Sequence, residues 1–192
     1  PESQQKYLDI ILFETDRLTK LTSNLLDVNN FDKDNIFLDI SRFNLHDSIR
    51  KTAGALEGVA AKKDIHFDLE LSDTEPLWVS GDKDKIQQVL HNLMDNAVKF
   101  SHEGSSILVS TREKGNRVFV SVKDSGIGIP KDDLGKIFER FYKTDLSRGK
   151  DKLGTGLGLS ICKEIITAHK QNLDVVSTEG VGSEFVFTLT KE

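Results

Sequence analysis

The residues best suited to chemistry begin with a run at positions 91–100, which reads H-N-L-M-D-N-A-V-K-F. Four of its side chains recur at spacings of three and four and therefore share one face of a helix: Asn92, Asn96, Lys99 and Phe100. An asparagine amide oxygen is a neutral, hard ligand that suits Mg²⁺, and a lysine one turn further on can meet a phosphate. The same spacing also fits a solvent-exposed helix face, so the run needs support from the rest of the chain.

A glycine-containing loop, D-S-G-I-G-I-P, follows a predicted strand at residues 124–130. Gly126 and Gly128 allow the backbone to approach a ligand closely and to take positive φ. The Asp124 carboxylate at the strand end can accept a hydrogen bond from an exocyclic amine. A ligand-free Asp-Ser-Gly turn is the alternative. The dinucleotide-binding fingerprint is excluded, because no helix with G-x-x-G spacing follows.

A second glycine-rich stretch, G-T-G-L-G-L-S at residues 154–160, runs into a predicted helix. Backbone amides at a helix N-terminus bind anions, so this stretch predicts a phosphate contact. Tight packing of the helix on a sheet is the alternative reason for three alternating glycines. The stretch lacks the G-x-x-x-x-G-K-[ST] pattern of a P-loop.

An aromatic segment, F-E-R-F-Y-K at residues 138–143, lies between the two glycine stretches. Three aromatic side chains in five residues require burial, which predicts an anchored loop. We expect this anchor to hold a lid that covers phosphates with a basic tip made of Lys143, Arg148, Lys150 and Lys152. Without a ligand, the same charges would belong to a solvated loop.

These motifs must be positioned by the elements around them, which the periodicity predicts as those of an α+β fold. We expect strands within residues 36–45 and at 65–71, 77–79, 107–111, 118–122, 173–177 and 184–189, with a hairpin turn at 114–116. We expect helices over residues 46–62, 82–100, 132–141 and 156–168, the second of them capped by Asp82. Hairpins with dispersed helices indicate one sheet that helices cover on one face.

Residues 1–31 predict a separate long helix, followed by a polar break at residues 32–35. Its apolar stripe is built from Tyr7, Ile11, Leu18, Leu21, Leu25 and Val28. A helix this apolar needs a partner, because alone it would expose too large a hydrophobic patch. The partner is either the helix's own domain or another helix in an intermolecular bundle.

Composition excludes several classes of function. The net charge of −5 over 192 residues implies no broad attraction to nucleic acid. The single cysteine, Cys162, rules out a disulfide framework and a cysteine metal cluster within the chain. No apolar run approaches the roughly 18 residues that span a bilayer, and no signal peptide is visible. Because the sequence begins at Pro1 without a methionine, we expect an excised fragment, and the full-length protein can carry a membrane segment elsewhere. We expect the fragment itself to be cytoplasmic.

Taken together and in this order, the four motifs resemble the N box, first glycine box, F box and second glycine box of sensor histidine kinases. The resemblance covers about residues 36–192 and implies an ATP-binding catalytic domain with a Bergerat-type α/β sandwich. The helix over residues 1–31 is similar to the second helix of the family's dimerisation and phosphotransfer hairpin. The resemblance therefore implies ATP and Mg²⁺ as cofactors, a homodimer through the hairpin, and transfer of the γ-phosphoryl group to a histidine and onward to an aspartate of a response-regulator receiver domain.

The resemblance also implies roles for individual residues. Asn96 would hold Mg²⁺, and Asp124 would read the adenine amine. Catalytic roles would fall on Asn92, Lys99, Arg140 and Lys143. Nucleotide contacts would come from Asn92, Asn96, Lys99, Phe100, Asp124, Gly126, Gly128, Ile129, Tyr142, Lys143, Gly154, Thr155, Gly156, Leu157, Gly158 and Leu159.

Three features depart from the family's pattern. The acceptor motif, a histidine followed by an acidic residue and shortly by Arg-Thr-Pro, is missing around all five histidines: His46, His66, His91, His102 and His169. Of these, His91 is expected to face away from the phosphates. The usual His-Gly-Gly after the last helix is replaced by H-K-Q, so Asn172 is expected to supply the left-handed residue there. Leu153 stands where a glycine or another small residue is frequent.

Two other functions stay open at this point. A gyrase-like or mismatch-repair-like hydrolase of the same fold typically carries a glutamate four residues before the metal-binding asparagine, to activate water. Here that position is Asn92, which cannot act as a base, and the aromatic segment also argues against such a hydrolase. A non-catalytic relative would signal by partner contact alone. The intact Asn96, Asp124 and glycine stretches weigh against it.

Overall fold

The structure is a computed structural model that describes Thr15, Thr22, residues 37–145 and residues 154–192. The helix predicted over residues 1–31 lies outside the described residues apart from Thr15 and Thr22, which are both helical and exposed. The polar break at 32–35 and most of the predicted lid tip, residues 146–153, also lie outside them. In the part of the chain that is described, no helix is long and apolar enough to cross a membrane.

Seven strands form one mixed sheet in the order β1-β3-β7-β5-β4-β2, with β6 added on β7. Strand β2 runs parallel to β4, and every other pairing is antiparallel. The strands are β1 (Ile40–Asn44), β2 (His66–Glu70), β3 (Trp78–Asp82), β4 (Ser106–Lys114), β5 (Arg117–Lys123), β6 (Leu173–Thr178) and β7 (Gly182–Lys191). The long strand β7 carries β5 along one edge, while β6 and the end of β3 share the other edge.

Within the described ranges, three helices pack against this sheet: α1 (Leu45–Ala61), α2 (Lys83–Phe100) and α3 (Gly158–Ala168). Helix α2 lies between the other two and contacts both. Its Leu93, Met94 and Ala97 are buried. They belong to one core with sheet residues such as Val120 and Phe187. The predicted architecture, an α+β fold with helices over one sheet, is therefore confirmed.

The start of α2 is fixed by Asp82, which is the N-cap that the sequence predicts. Asp82 Oδ1 accepts a hydrogen bond from the backbone amide of Lys85 at 3.1 Å, and Oδ2 accepts one from Asp39 at 3.0 Å. The ring of His169 adds a link to α3: its Nε2 accepts from the Asp82 amide at 2.9 Å, and its Nδ1 lies 2.8 Å from the carbonyl of Ile165. These bonds fix the rotation of α2 and hence the face that carries its polar residues.

The helix predicted over residues 132–141 is wrong. This segment forms successive turns instead, with short-range bonds such as that from the Lys136 amide to the Asp133 carbonyl at 2.8 Å. Gly135 lowers helix propensity in the middle of the segment. The turns bury Ile137 and set the ring of Phe138 edge-on to Phe185, with ring centroids 6.5 Å apart.

The left-handed residue after α3 is Lys170, with φ of +56°, so the assignment to Asn172 is wrong. The amide of Lys170 bonds to the carbonyl of Thr167 at 2.9 Å, and the amide of Gln171 bonds to the carbonyl of Ile166 at 3.0 Å. This pair of bonds is the Schellman motif, which requires a positive φ at the first residue past the cap. Asparagine tolerates a left-handed conformation, which favoured Asn172 in the sequence. The hydrogen bonds that end the helix instead place the left-handed residue two positions earlier, at Lys170.

Replacing Lys170 by glycine should stabilise the protein by about 1 kcal/mol, because a side chain at positive φ is strained and glycine is not. Urea unfolding, followed by circular dichroism, measures the change. Asn172→Gly is the matched control and should be neutral or destabilising, since it only increases the freedom of the unfolded chain. Equal effects of the two variants would contradict the assignment of the cap.

Candidate functional site

A cavity of about 360 Å³ opens between α2, the loop after β5 and the start of α3. The four residues predicted to share one face of α2 all line it: Asn92, Asn96, Lys99 and Phe100. The glycine loop contributes Asp124, Gly128 and Ile129. The remaining predicted residues that line it come from the end of the aromatic segment and from the second glycine stretch: Tyr142, Lys143, Gly154, Thr155, Gly156, Gly158 and Leu159.

The α2 wall of the cavity is held by contacts along and across the helix. The ammonium of Lys99 lies 2.7 Å from Asp95 Oδ2, one turn earlier, so the lysine is kept at the wall. The side-chain amide of Asn92 donates to the carbonyl of Gly158 at 3.4 Å and connects α2 to the first turn of α3. The side-chain amide of Asn96 forms no hydrogen bond with any described residue, so its oxygen remains available to a ligand in the cavity.

Asp124 lies at the sheet end of the cavity and is only 7% exposed. Its Oδ1 accepts hydrogen bonds from the backbone amides of Gly126 at 2.9 Å and Ser183 at 3.3 Å. Burial raises the pKa of this carboxyl above its ordinary value, and the two amides offset part of that rise. Both amides bind Oδ1, which leaves Oδ2 as the oxygen for a donor in the cavity.

Glycines at this end are required by close backbone contacts. A Cβ on Gly126 would overlap the carbonyl of Phe100 at the end of α2. A Cβ on Gly128, which has φ of +65°, would overlap the carbonyl of Thr178 at the end of β6. The glycine loop is therefore packed tightly between α2 and β6, and this packing shapes the cavity.

The second glycine stretch brings the N-terminus of α3 to the opposite end of the cavity. Gly156 has φ of +72° and packs against the backbone of Phe141, which itself has φ of +65° and bonds through its amide to the Gly156 carbonyl at 2.9 Å. The N-cap residue Leu157 forms no side-chain capping bond. Gly158 and Leu159 at the start of α3 line the cavity, and no side chain caps their end of the helix, which is an arrangement that can bind anions.

The burial predicted for the three aromatic side chains is wrong, because Phe141 is 60% exposed and Phe138 and Tyr142 are only half-buried. Hydrogen bonds hold the segment in place instead, and its arginine does not reach the cavity. The guanidinium of Arg140 donates two hydrogen bonds to Glu164 Oε1 on α3, at 3.0 and 2.7 Å. The Tyr142 hydroxyl donates to Asp133 Oδ1 at 2.6 Å, and this bond raises the pKa of Tyr142 to about 12. Tyr142 and Lys143 line the cavity, so the segment connects the lid base to α3.

Three predicted site residues do not line the cavity: Arg140, which is exposed, and Gly126 and Leu157, which are buried. His91 lines the cavity, although it was expected to face away from the phosphates. Sequence reasoning missed Ser183 and Phe185, which line the sheet end. The only sequence signal for these two residues was the pattern G-V-G-S-E-F at residues 180–185, and a hairpin turn alone was enough to explain that pattern.

The residues fit a magnesium ion that phosphate oxygens help to hold. No group of three or more histidine, cysteine or acidic side chains able to hold a metal occurs among the described residues. Asn96 offers one neutral oxygen beside Lys99 in the cavity. Mg²⁺ takes few protein ligands when a bound phosphate supplies the others, so this donor set suits it.

Comparisons with known proteins agree with this geometry. The model of the family described as histidine kinase-, DNA gyrase B-, and HSP90-like ATPase matches residues 81–192. The sensor histidine kinase WalK of Bacillus subtilis (strain 168) is 38% identical over 188 residues, which is 96% of this chain and 30% of that protein. The chain spans about a third of the length of the curated relatives it matches.

Two solved structures share the fold. Full-length ShkA in complex with AMPPNP has a TM-score of 0.85 at 27% identity, covering 99% of this chain and 40% of that one. The histidine kinase ThkA in complex with the response regulator protein TrrA has a TM-score of 0.78 at 32% identity, covering all of this chain and 52% of that one.

Asp124→Asn should fold, melt at a higher temperature than the wild type at pH 7, and lose ADP binding by about 100-fold. The variant keeps an oxygen for the two backbone amides but places an amide donor where Oδ2 was. Because the folded pKa of Asp124 is raised, the wild type loses stability as pH rises from the unfolded to the folded pKa. The melting temperature of Asp124→Asn minus that of the wild type should therefore grow as the pH rises from the unfolded to the folded pKa, and should stay constant above it.

Calorimetric titration with ADP and melting curves from pH 3.5 to 8 measure both effects. The matched control is Asp68→Asn on strand β2, whose side chain is exposed, and it should change neither property. Wild-type affinity in Asp124→Asn, or a stability difference that shrinks with rising pH, would refute the role given to this carboxylate.

Proposed function

The chain belongs to the histidine kinase-, DNA gyrase B-, and HSP90-like ATPases and carries a catalytic domain of the sensor histidine kinase type; on that premise, we propose that its cavity binds ATP with Mg²⁺ for phosphoryl transfer to a histidine outside this domain. The observation that carries the proposal is one cavity with two chemically different ends. The Asp124 carboxylate lies at one end, where the glycine loop meets the Phe100 carbonyl, and the α3 N-terminus lies at the other, where Gly158 bonds to Asn92. Asn96 and Lys99 line the cavity along α2 between these two contacts.

The nucleotide lies with adenine at the sheet end in this proposal. Asp124 Oδ2 accepts from the exocyclic amine, and the apolar side chains of Ile129 and Phe185 border the base. The phosphates extend towards the amides at the start of α3 and the ammonium groups of Lys99 and Lys143. The AMPPNP in the related ShkA structure supports a nucleotide in this fold.

Asn96 would hold Mg²⁺ through its amide oxygen, together with phosphate oxygens. The ion would neutralise negative charge on the transferred group. This chain's own residues position that group: Lys99 and the α3 amides bind its oxygens, and Asn92 holds the α3 turn against α2. Phosphoryl transfer needs little covalent work from the protein, so positioning and charge neutralisation are sufficient.

A histidine acceptor is favoured over water because the cavity lacks the expected base. Asn92 occupies the position, four residues before Asn96, where hydrolases of this fold carry a glutamate. An amide cannot take a proton from water at neutral pH. The neighbouring acidic group, Asp95, is paired with Lys99 at 2.7 Å.

We propose that the acceptor histidine comes from another segment, because no histidine of this chain has the family's acceptor motif and three of the five are held away from the cavity, although His91 lines it. His46 is fully buried between Glu75 and Thr111, at 3.1 and 3.0 Å, and His169 joins α3 to Asp82. His66 is on strand β2. We propose that residues 1–31 are the second helix of a dimeric hairpin that presents the acceptor, and that residues 36–192 form the catalytic domain.

The onward partner is proposed to be a response-regulator receiver domain, which accepts the phosphoryl group on an aspartate. The relative ThkA was solved with the response regulator TrrA, and the match covers this whole chain. We propose a cytoplasmic location for the domain, because both ATP and such receiver domains are found there. The net charge of −5 gives no support to a nucleic-acid partner.

Incubating the chain with radiolabelled ATP, Mg²⁺ and a separate helical hairpin that carries the family's acceptor histidine should place acid-labile, base-stable label on the hairpin and none on this chain. Asn96→Ala should slow labelling by at least about 100-fold, because it removes the protein's ligand to Mg²⁺. The control Asn116→Ala, in the exposed turn between β4 and β5, should transfer at the wild-type rate.

Three results would count against the proposal. Asn96→Ala could transfer as fast as the wild type, or ATP could be hydrolysed with no label on the hairpin. Label on this chain itself would contradict the assignment of the acceptor, and His91→Gln and His102→Gln would locate it.

A further inference from the structure

A small hydroxyl network lies directly behind the adenine end of the cavity, and the proposed function does not use it. Ser177 Oγ on β6 lies 2.9 Å from the backbone amide of Ile129, 2.9 Å from the carbonyl of Gly182 and 2.9 Å from Ser183 Oγ. Ser183 lines the cavity, and its own amide bonds to Asp124 Oδ1. The network therefore joins the glycine loop, β6 and β7 at one point.

The direction of each hydrogen bond follows from counting protons. A serine hydroxyl has one proton to donate and two lone pairs to accept. The Gly182 carbonyl can only accept, so it takes the proton of Ser177, while the Ile129 amide can only donate, so it occupies one lone pair. The second lone pair of Ser177 is left for the hydroxyl proton of Ser183, which satisfies every member of the network.

This arrangement points the Ser183 proton away from the cavity. Only lone pairs of Ser183 Oγ then remain for the cavity, which is also lined by Asp124, whose Oδ2 likewise only accepts. A water between them would give both of its protons to these two oxygens and would itself accept from the ligand. With or without such a water, the wall offers acceptors to the substituent at position 6 of a purine.

We infer that Ser177 is a specificity-determining positioning residue: by accepting the Ser183 hydroxyl proton, it makes the wall select 6-amino purines and reject 6-oxo purines. The inference rests on the proposed nucleotide site. Adenine has an N–H₂ donor at position 6, whereas hypoxanthine and guanine have a carbonyl oxygen there. That oxygen would face acceptors only, and a buried group without a partner is costly.

The test measures the dissociation constants of ADP and inosine diphosphate by calorimetry, since the two ligands share every phosphate contact. In Ser177→Ala, the Ser183 hydroxyl becomes free to turn and donate into the cavity. The preference for ADP should then fall by about tenfold, the value of one neutral hydrogen bond. Ser183→Ala should lower it as well, and the double variant should lose no more than Ser183→Ala alone.

Two further variants separate this effect from simple loss of packing. Ser177→Thr keeps the hydroxyl and should keep the wild-type preference. Ser121→Ala removes a hydroxyl that bonds Glu184 between β5 and β7, and should change neither dissociation constant.

An unchanged preference in Ser177→Ala, or an equal fall in affinity for both nucleotides, would overturn the inference while the nucleotide site stands. A preference lost in Ser177→Thr as fully as in Ser177→Ala would overturn it too. Failure of the wild type to bind ADP at all would overturn the proposed function together with the inference.

Discussion

A single buried carboxylate, that of Asp124, joins three segments that meet at the sheet end of the cavity. One of its oxygens holds the amides of Gly126 and Ser183, and its own amide bonds to the Ser183 carbonyl at 2.8 Å. Burial makes the charged form of this group unfavourable, so its position must be maintained by the surrounding backbone. The hydroxyls of Ser177 and Ser183 and the glycine loop all depend on where this carboxylate lies.

The glycines of the two boxes act through packing as much as through ligand access. Gly126, Gly128 and Gly156 each lie where a Cβ would overlap the backbone of a distant segment. These close contacts bring the loop after β5 against α2 and β6, and the start of α3 against the aromatic segment. The interpretation as tight packing is therefore correct, and it is compatible with the proposed ligand site, since the packing of the loops forms the cavity.

Local patterns in the sequence predicted much of this site. The spacing on α2 identified the cavity face, and Asp82 identified where that helix begins, because both depend on residues within a few positions. Contacts between distant residues were not predictable in this way: Arg140 with Glu164, and Asp124 with Ser183, depend on how separate segments of the chain pack together. The same holds for Lys170, whose positive φ follows from hydrogen bonds back into α3 rather than from its own preference.

The most direct test of the central claim, that one cavity binds an adenine nucleotide with the base at Asp124 and the phosphates at α3, is an amide chemical-shift map. The ¹⁵N-labelled chain is titrated with ADP and Mg²⁺, and the backbone resonances are followed by NMR. The account predicts the largest shifts at both ends together: Gly126, Gly128 and Ser183 at one, Gly156 and Gly158 at the other. Shifts at only one end, or shifts elsewhere in the chain at saturating nucleotide, would contradict it.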